Sequence, residues 1–263
     1  MTPEIYILII ASVFGAIVGS FLNVVILRLP EPSQSIVFPA SHCPQCSAPL
    51  HWYENIPLIS YIFLRGRCGH CNTFISPQYP LVEFLMALIT VALVNKFHLS
   101  PATASYFIFS AALLVIIFID IRLQIIPDVI SLPGIILGFL FSLVADTITW
   151  QSSLIGLLAG GGTLYIVALV YTLLRKMDGM GGGDIKLLAM IGAWLGWQSL
   201  PFVIFMSSIT GSIIGIIAIR IQKRGGQTRI PFGPFLSFAA LLYVFFSENI
   251  IHYYILYITK QWP

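Results

Sequence analysis

The sequence predicts an all-α polytopic membrane protein with one small polar insertion, and two observations carry that prediction. Of 263 residues, 13 are Lys or Arg and 10 are Asp or Glu, so only 9% carry formal charge, against about 25% in an ordinary soluble domain. Hydrophobic residues make up 58%, and a mean hydropathy of +0.94 spread along the whole length is more than one soluble core can hide. Disorder is excluded by that apolar content. A net charge of +3 supplies no strong basic field, which argues against nucleic acid as a partner. The surrounding medium is instead a lipid bilayer.

A span needs about 20 predominantly apolar residues to cross a hydrocarbon core about 30 Å thick. Eight runs qualify: Ile5–Leu27, Leu81–Val94, Ala102–Ile119, Val129–Val144, Leu154–Leu174, Ile185–Trp197, Phe202–Ile219 and Phe235–Tyr257. The second and sixth are short and need a further turn or a thin local bilayer. The organisation that follows is a first span over 1–27, a polar insertion over 28–80, and a bundle of about seven spans over 81–263. Glycines recur at G-x-x-x-G spacing, as in Gly15/Gly19, Gly134/Gly138, Gly156/Gly160, Gly192/Gly196 and Gly211/Gly215; small residues at that spacing let membrane helices approach closely.

Cytoplasmic loops carry the excess of Lys and Arg. An external N-terminus puts Arg28, Arg65, Arg67, Arg122, Arg175, Lys176, Lys186, Arg220, Lys223, Arg224 and Arg229 inside, and leaves only Lys96 and Lys260 outside. Both termini are then external. The first span does not read as a cleaved signal peptide, because no basic residue precedes it and its apolar run is long.

The polar insertion, with about fifty residues, is marginal for a free-standing core, so a metal is expected to supplement it. Cys43-Pro-Gln-Cys46 and Cys68-Gly-His-Cys71 are two C-x-x-C knuckles separated by 21 residues. Paired thiolates on two turns give tetrahedral sulfur coordination, which suits Zn²⁺ and leaves no open position. A structural zinc ribbon on Cys43, Cys46, Cys68 and Cys71 is therefore the first reading, with redox-active or unmetallated thiols and another metal as alternatives. His42, His51 and His70 read as ordinary surface histidines, since four cysteines already complete the sphere.

Acidic residues at membrane depth are costly and draw attention to function. Glu4, Asp146 and Glu248 lie near external ends and read as solvated; Glu31 and Glu54 read as surface groups of the insertion. Glu83 follows Tyr79-Pro80, where capping and function remain equally open. Asp120, Asp128, Asp178 and Asp184 all fall at cytoplasmic ends of expected spans. Asp128 follows Pro127 and reads as a helix cap. Asp184 follows four glycines in the five positions from Gly179 to Gly183, whose backbone freedom can bring it against a neighbouring helix. Two carboxyls converging at a wet boundary can perform aspartyl hydrolysis without a cofactor, as one ionised and one protonated acid. A proton relay and simple capping stay open on spacing alone.

These residues also occur in an order that resembles a known family, the bacterial type IV prepilin peptidases, bifunctional leader peptidase/N-methyltransferases. Gly19-Ser20-Phe21-Leu22-Asn23 followed by Arg28-Leu29-Pro30 resembles its first-span signature. The stretch from Cys43 through Asn55-Ile56-Pro57, Cys68 and Cys71 to Tyr79-Pro80-x-x-Glu83 resembles its zinc-binding loop. Asp120 ahead of Pro127-Asp128, Gly181-x-Gly183-Asp184-x-Lys186 and Pro231-Phe232-Gly233-Pro234 resemble its remaining blocks. The resemblance implies that Asp120 and Asp184 are the catalytic pair and Asp128 a neighbour. It implies a bacterial inner-membrane enzyme with its catalytic face cytoplasmic and both termini periplasmic. Its substrates would be prepilins and pseudopilins of pilus assembly or type II secretion, cut after the Gly of a short basic leader. The new N-terminus would then be methylated from S-adenosylmethionine, for which the sequence identifies no binding residues.

Overall fold

Apolar runs become helices because a backbone in hydrocarbon must satisfy its own hydrogen bonds. The computed structural model describes residues 3–31, 34–38, 41–43, 45–176, 181–222 and 230–261. Among the described residues a long helix stands at each of the eight expected places: α1 (Pro3–Arg28), α3 (Gln78–Phe97), α4 (Pro101–Leu123), α5 (Asp128–Ser142), α6 (Trp150–Arg175), α7 (Gly182–Leu195), α8 (Leu200–Gln222) and α9 (Gly233–Gln261). A five-residue helix, α2 (Ile59–Phe63), and a 3-10 turn at Trp52–Asn55 lie in the insertion. No strand forms among the described residues beyond two isolated bridges, His42 with Pro49 and Arg67 with Phe74.

Five helices are long and apolar enough to cross a membrane, Glu4–Arg28, Gln78–Phe97, Pro101–Leu123, Trp150–Arg175 and Trp197–Ala218. The chain is thus a multi-pass membrane protein. The short second run is lengthened to the 20 residues of α3. The sixth is not: α7 has 14 residues, about 21 Å at 1.5 Å per residue, and Gly196 ends it at φ 78°.

The chain divides into two compact units, Met1–Leu99 and Ser100–Pro263. In the first, α1 and α3 pack along each other through the small residues of α1: a Cβ on Gly15 would lie 2.8 Å from the Met86 carbonyl, and one on Gly19 would lie 2.7 Å from the Glu83 Cα. Polar groups tie α1 to the start of α3 and the insertion to α3. Asn23 Nδ2 on α1 donates to the Tyr79 carbonyl at 3.0 Å, and the buried Glu83 of α3 accepts from the Leu58 N–H at 2.8 Å. Glu83 is therefore not the helix cap that one sequence reading allowed, because α3 begins at Gln78 and the carboxylate turns to the insertion instead.

In the second unit α7 is the hub. Every residue from Leu187 to Leu195 is buried, as expected of a helix that is apolar all round. Trp194 stacks on Phe109 of α4 with ring centroids 5.1 Å apart and donates from Nε1 to the Gly134 carbonyl of α5 at 2.7 Å. Ser153 of α6 donates to the Ala193 carbonyl at 2.7 Å. Gly156 of α6 and Gly192 of α7 meet backbone to backbone with no room for a side chain on either. Helix α9 packs on α7 as well; α4, α5, α6 and α9 thus hold α7, and with it the residue on its first turn, Asp184.

Candidate active site and metal centre

Asp120 lies one turn before the end of α4, which closes at Gln124 in the left-handed region. Its side chain is buried. Oδ2 accepts the Gly233 N–H at 3.0 Å. That donor exists because Gly233 opens α9, where the first N–H groups have no partner in the helix, and Pro234 contributes no N–H of its own. The helix N-terminus also favours a carboxylate electrostatically. Gly233 has to be glycine: a Cβ there would lie 2.5 Å from Asp120 Oδ2 and 3.1 Å from Ile126 Cδ1.

Asp184 reaches the same place on α7. Gly183 before it also abuts Ile126, whose Cβ would lie 3.0 Å from a Cβ built on Gly183. Ile126 therefore sits against both glycines, and the Pro127 after it disfavours a helical backbone there. Asp184 is half-buried and close enough to Asp120 for the two carboxyls to interact electrostatically. Two like charges at close range do not both ionise easily, so two converging carboxyls can share one proton. The structure thus brings the two predicted acids together, each on a rigid helix end.

Asp128 does not serve as the expected cap. Pro127 holds the cap position of α5 with no side-chain hydrogen bond, and the Asp128 carboxylate instead accepts from Lys186 Nζ at 2.7 and 2.8 Å. The i and i+2 positions of Asp184 and Lys186 point to different sides of α7, so Lys186 pairs with the neighbouring acid. Asp178 lies outside the described residues, as do Lys223, Arg224 and Arg229.

In the first unit the two cysteine knuckles share one hydrogen-bond register. The Cys43 N–H donates to the Ala48 carbonyl and the Ser47 N–H to the Cys43 carbonyl; the Cys68 N–H donates to Thr73 and the Asn72 N–H to Cys68 in the same way. Ser47 and Asn72 close the turns at φ 56° and 60°. The four sulfurs lie within 4.8 Å of one another, and the Cys43 and Cys71 sulfurs are 3.8 Å apart. Tetrahedral Zn–S bonds of about 2.3 Å require sulfurs about 3.8 Å apart, so this donor set fits zinc. Hydrogen bonds from Thr73 bring the Cys71 thiol down to about 6, and the backbone N–H of Cys46 lowers Cys43. The Ala48 N–H also favours the Cys46 thiolate, but desolvation and the neighbouring sulfurs outweigh it and push Cys46 up to about 11. Four thiolates cannot gather there without a cation, and a dication would remove the conflict.

Glu54 corrects the sequence reading. It is not a surface group: its side chain is 5% exposed and lies 3.8 Å from His70 Nε2, while Oε2 accepts the His51 N–H at 2.8 Å. The hydropathy pattern carries no trace of this burial, because a knuckle fold and not a periodic element creates it. The roles of Ile126 and of the Gly233 N–H were equally hidden, although the Pro-Phe-Gly-Pro run marked the place.

The fold and the paired carboxyls define a class, the polytopic α-helical membrane enzymes. The chain belongs, within it, to the type IV leader peptidase family. Residues 107–216 match the model of that family, and residues 13–97 match the bacterial peptidase A24 N-terminal domain. The chain is similar to a prepilin leader peptidase/N-methyltransferase of Aeromonas hydrophila, 37% identical over 92% of this chain and 91% of that one. Its identity to the protein of the same name in Pseudomonas putida is 34%, over 93% and 92% of the two chains. For that of Neisseria gonorrhoeae it is 36%, over 91% and 90%. No solved structure matches.

Proposed function

We propose that this chain is a bacterial inner-membrane aspartyl endopeptidase that removes the short basic leader of type IV prepilins or pseudopilins and then N-methylates the exposed residue. The observation that carries the reading is the meeting of Asp120 and Asp184 at the ends of α4 and α7, with Gly233 fixing Asp120. One carboxylate takes a proton from water, the oxygen attacks the carbonyl carbon of the leader Gly, and the protonated partner donates to the carbonyl oxygen. Collapse of the tetrahedral adduct breaks the C–N bond, and the proton taken from water leaves on the new amine. The pair returns to its shared-proton state, so no cofactor is consumed.

The methyl group then passes from the sulfonium of S-adenosylmethionine to the new N-terminal amine, leaving S-adenosylhomocysteine and a proton. Cys43, Cys46, Cys68 and Cys71 would hold Zn²⁺, which would fix the fold of the insertion. The asymmetry of Lys and Arg supports eight spans, periplasmic termini and a cytoplasmic catalytic face. On that reading 1–27 is the first span, 28–80 the zinc-binding insertion and 81–263 the peptidase bundle. Purified protein incubated with a prepilin and S-adenosylmethionine tests the proposal by mass spectrometry. The expected product is shortened at the leader Gly and carries one added methyl group. A prepilin of unchanged mass would overturn the reading, and a shortened but unmethylated product would remove its second half.

A further inference from the structure

We infer that His51, Glu54 and His70 form a second divalent-metal site, separate from the tetrathiolate and of a different kind. One donor atom from each residue, a ring nitrogen or a carboxylate oxygen, lies within 4.8 Å of the others. The two imidazole rings have centroids 5.8 Å apart, and His70 Nε2 stands 3.8 Å from Glu54 Oε2. That gap is too long for a hydrogen bond, which needs about 2.7 to 3.2 Å. Two donors bound tetrahedrally at about 2.0 to 2.1 Å from one Zn²⁺ lie about 3.4 Å apart, so the cluster needs only small side-chain rotations to close on an ion.

The framework around the cluster is built rather than accidental. Glu54 is held with its side chain buried, Oε2 fixed by the His51 N–H and Oε1 against Gly69, where a Cβ would lie 2.6 Å away. A buried carboxylate with one backbone donor gains from a cation. His51 is braced by stacking on Tyr53, with centroids 5.3 Å apart and planes 12° from parallel. His70 sits between Cys68 and Cys71, so the knuckle sets its backbone. Both histidines are exposed, which leaves the ion a route from solvent.

Two imidazoles and a carboxylate suit Zn²⁺, with Cu²⁺ the stronger competitor by the usual order of affinities. Three protein ligands also leave a fourth position for water or another small donor. The tetrathiolate, in contrast, is closed.

The test uses the full-length protein loaded with Zn²⁺ and freed of excess ion, followed by metal analysis. The expected content is two equivalents, falling to one in H51A, E54Q and H70A. Loading with Co²⁺ separates the sites, because only the tetrathiolate gives an intense sulfur-to-metal band in the near ultraviolet. That band should persist in H51A while one equivalent is lost. If H70A loses both ions because the adjoining knuckle fails, H51A decides, since its ring lies outside the knuckles. One equivalent in the unaltered protein, or two retained in the H51A/H70A double variant, would overturn the inference.

Discussion

The two units of this chain hold their chemistry in opposite ways. In the second, Asp184 stands on a helix whose residues from Leu187 to Leu195 are all buried, and Asp120 is fixed by a helix N-terminus. Packing makes that site. In the insertion of the first unit, the 3-10 turn and α2 contain no buried apolar residue. Its turns pass through Ser47, Leu58, Arg65 and Asn72 at positive φ, an unfavourable region for all of these but Asn72. Donor atoms gather there without a core to hold them. A site made by packing tolerates loss of an ion, while a site made by donors requires one.

That contrast can be broken most forcefully by removing metal. Structural zinc in small domains carries roughly 10 to 16 kcal/mol of apparent binding energy, which is also folding energy. Chelation, or the C43S/C68S double variant, is expected to open the insertion to trypsin at the exposed Arg65 and Arg67 while fragments of the second unit persist. Limited proteolysis followed by mass analysis checks this, and equal resistance with and without metal would erase the contrast. Acid should act in the same direction as chelation, because ligand thiolates must be deprotonated to bind. Cys71, lowered to about 6, should keep its thiolate to a lower pH than Cys46.

The next effect is catalytic. G233A introduces a Cβ that would lie 2.5 Å from Asp120 Oδ2, so the carboxyl has to move. Displacements of about 1 Å cost on the order of a hundredfold in rate, and cleavage kinetics of the purified variant should show that loss with little change in thermal stability. G183A, whose Cβ meets Ile126 at 3.0 Å, should lose less. W194F removes the buried hydrogen bond to the Gly134 carbonyl and should lower the melting temperature by the few degrees that correspond to about 1 kcal/mol. K186M breaks an ion pair whose members are 38% and 55% exposed. Such a pair contributes about 0 to 1 kcal/mol, so stability should barely change.

The helices were legible because a span must be apolar along its whole length, a signal that needs no tertiary information. The catalytic candidates were legible for the converse reason, since an acid among apolar residues stands out. What escaped depends on long-range contacts. Gly233 lies 113 positions from the Asp120 it holds, and Lys186 lies 58 from Asp128. The capping expectation for Asp128 failed because Pro127 takes the cap position and Asp128 becomes the first residue of α5, which leaves its carboxylate to a nearby ammonium. Glu54 looked solvated because it lies in the polar insertion, and only the knuckle fold encloses it. The shortness of α7 was visible, but the reason it can be short, that it is buried among α4, α5, α6 and α9, was not.

The central claim is that Asp120 and Asp184 act as one unit. Its most direct test is prepilin cleavage by purified D120N and D184N, with methylation of an already shortened pilin as a control for folding. Each single variant should lose cleavage by at least about 10²- to 10⁴-fold, with the double variant no worse than either, and methylation should continue. Normal cleavage by either single variant would contradict the account.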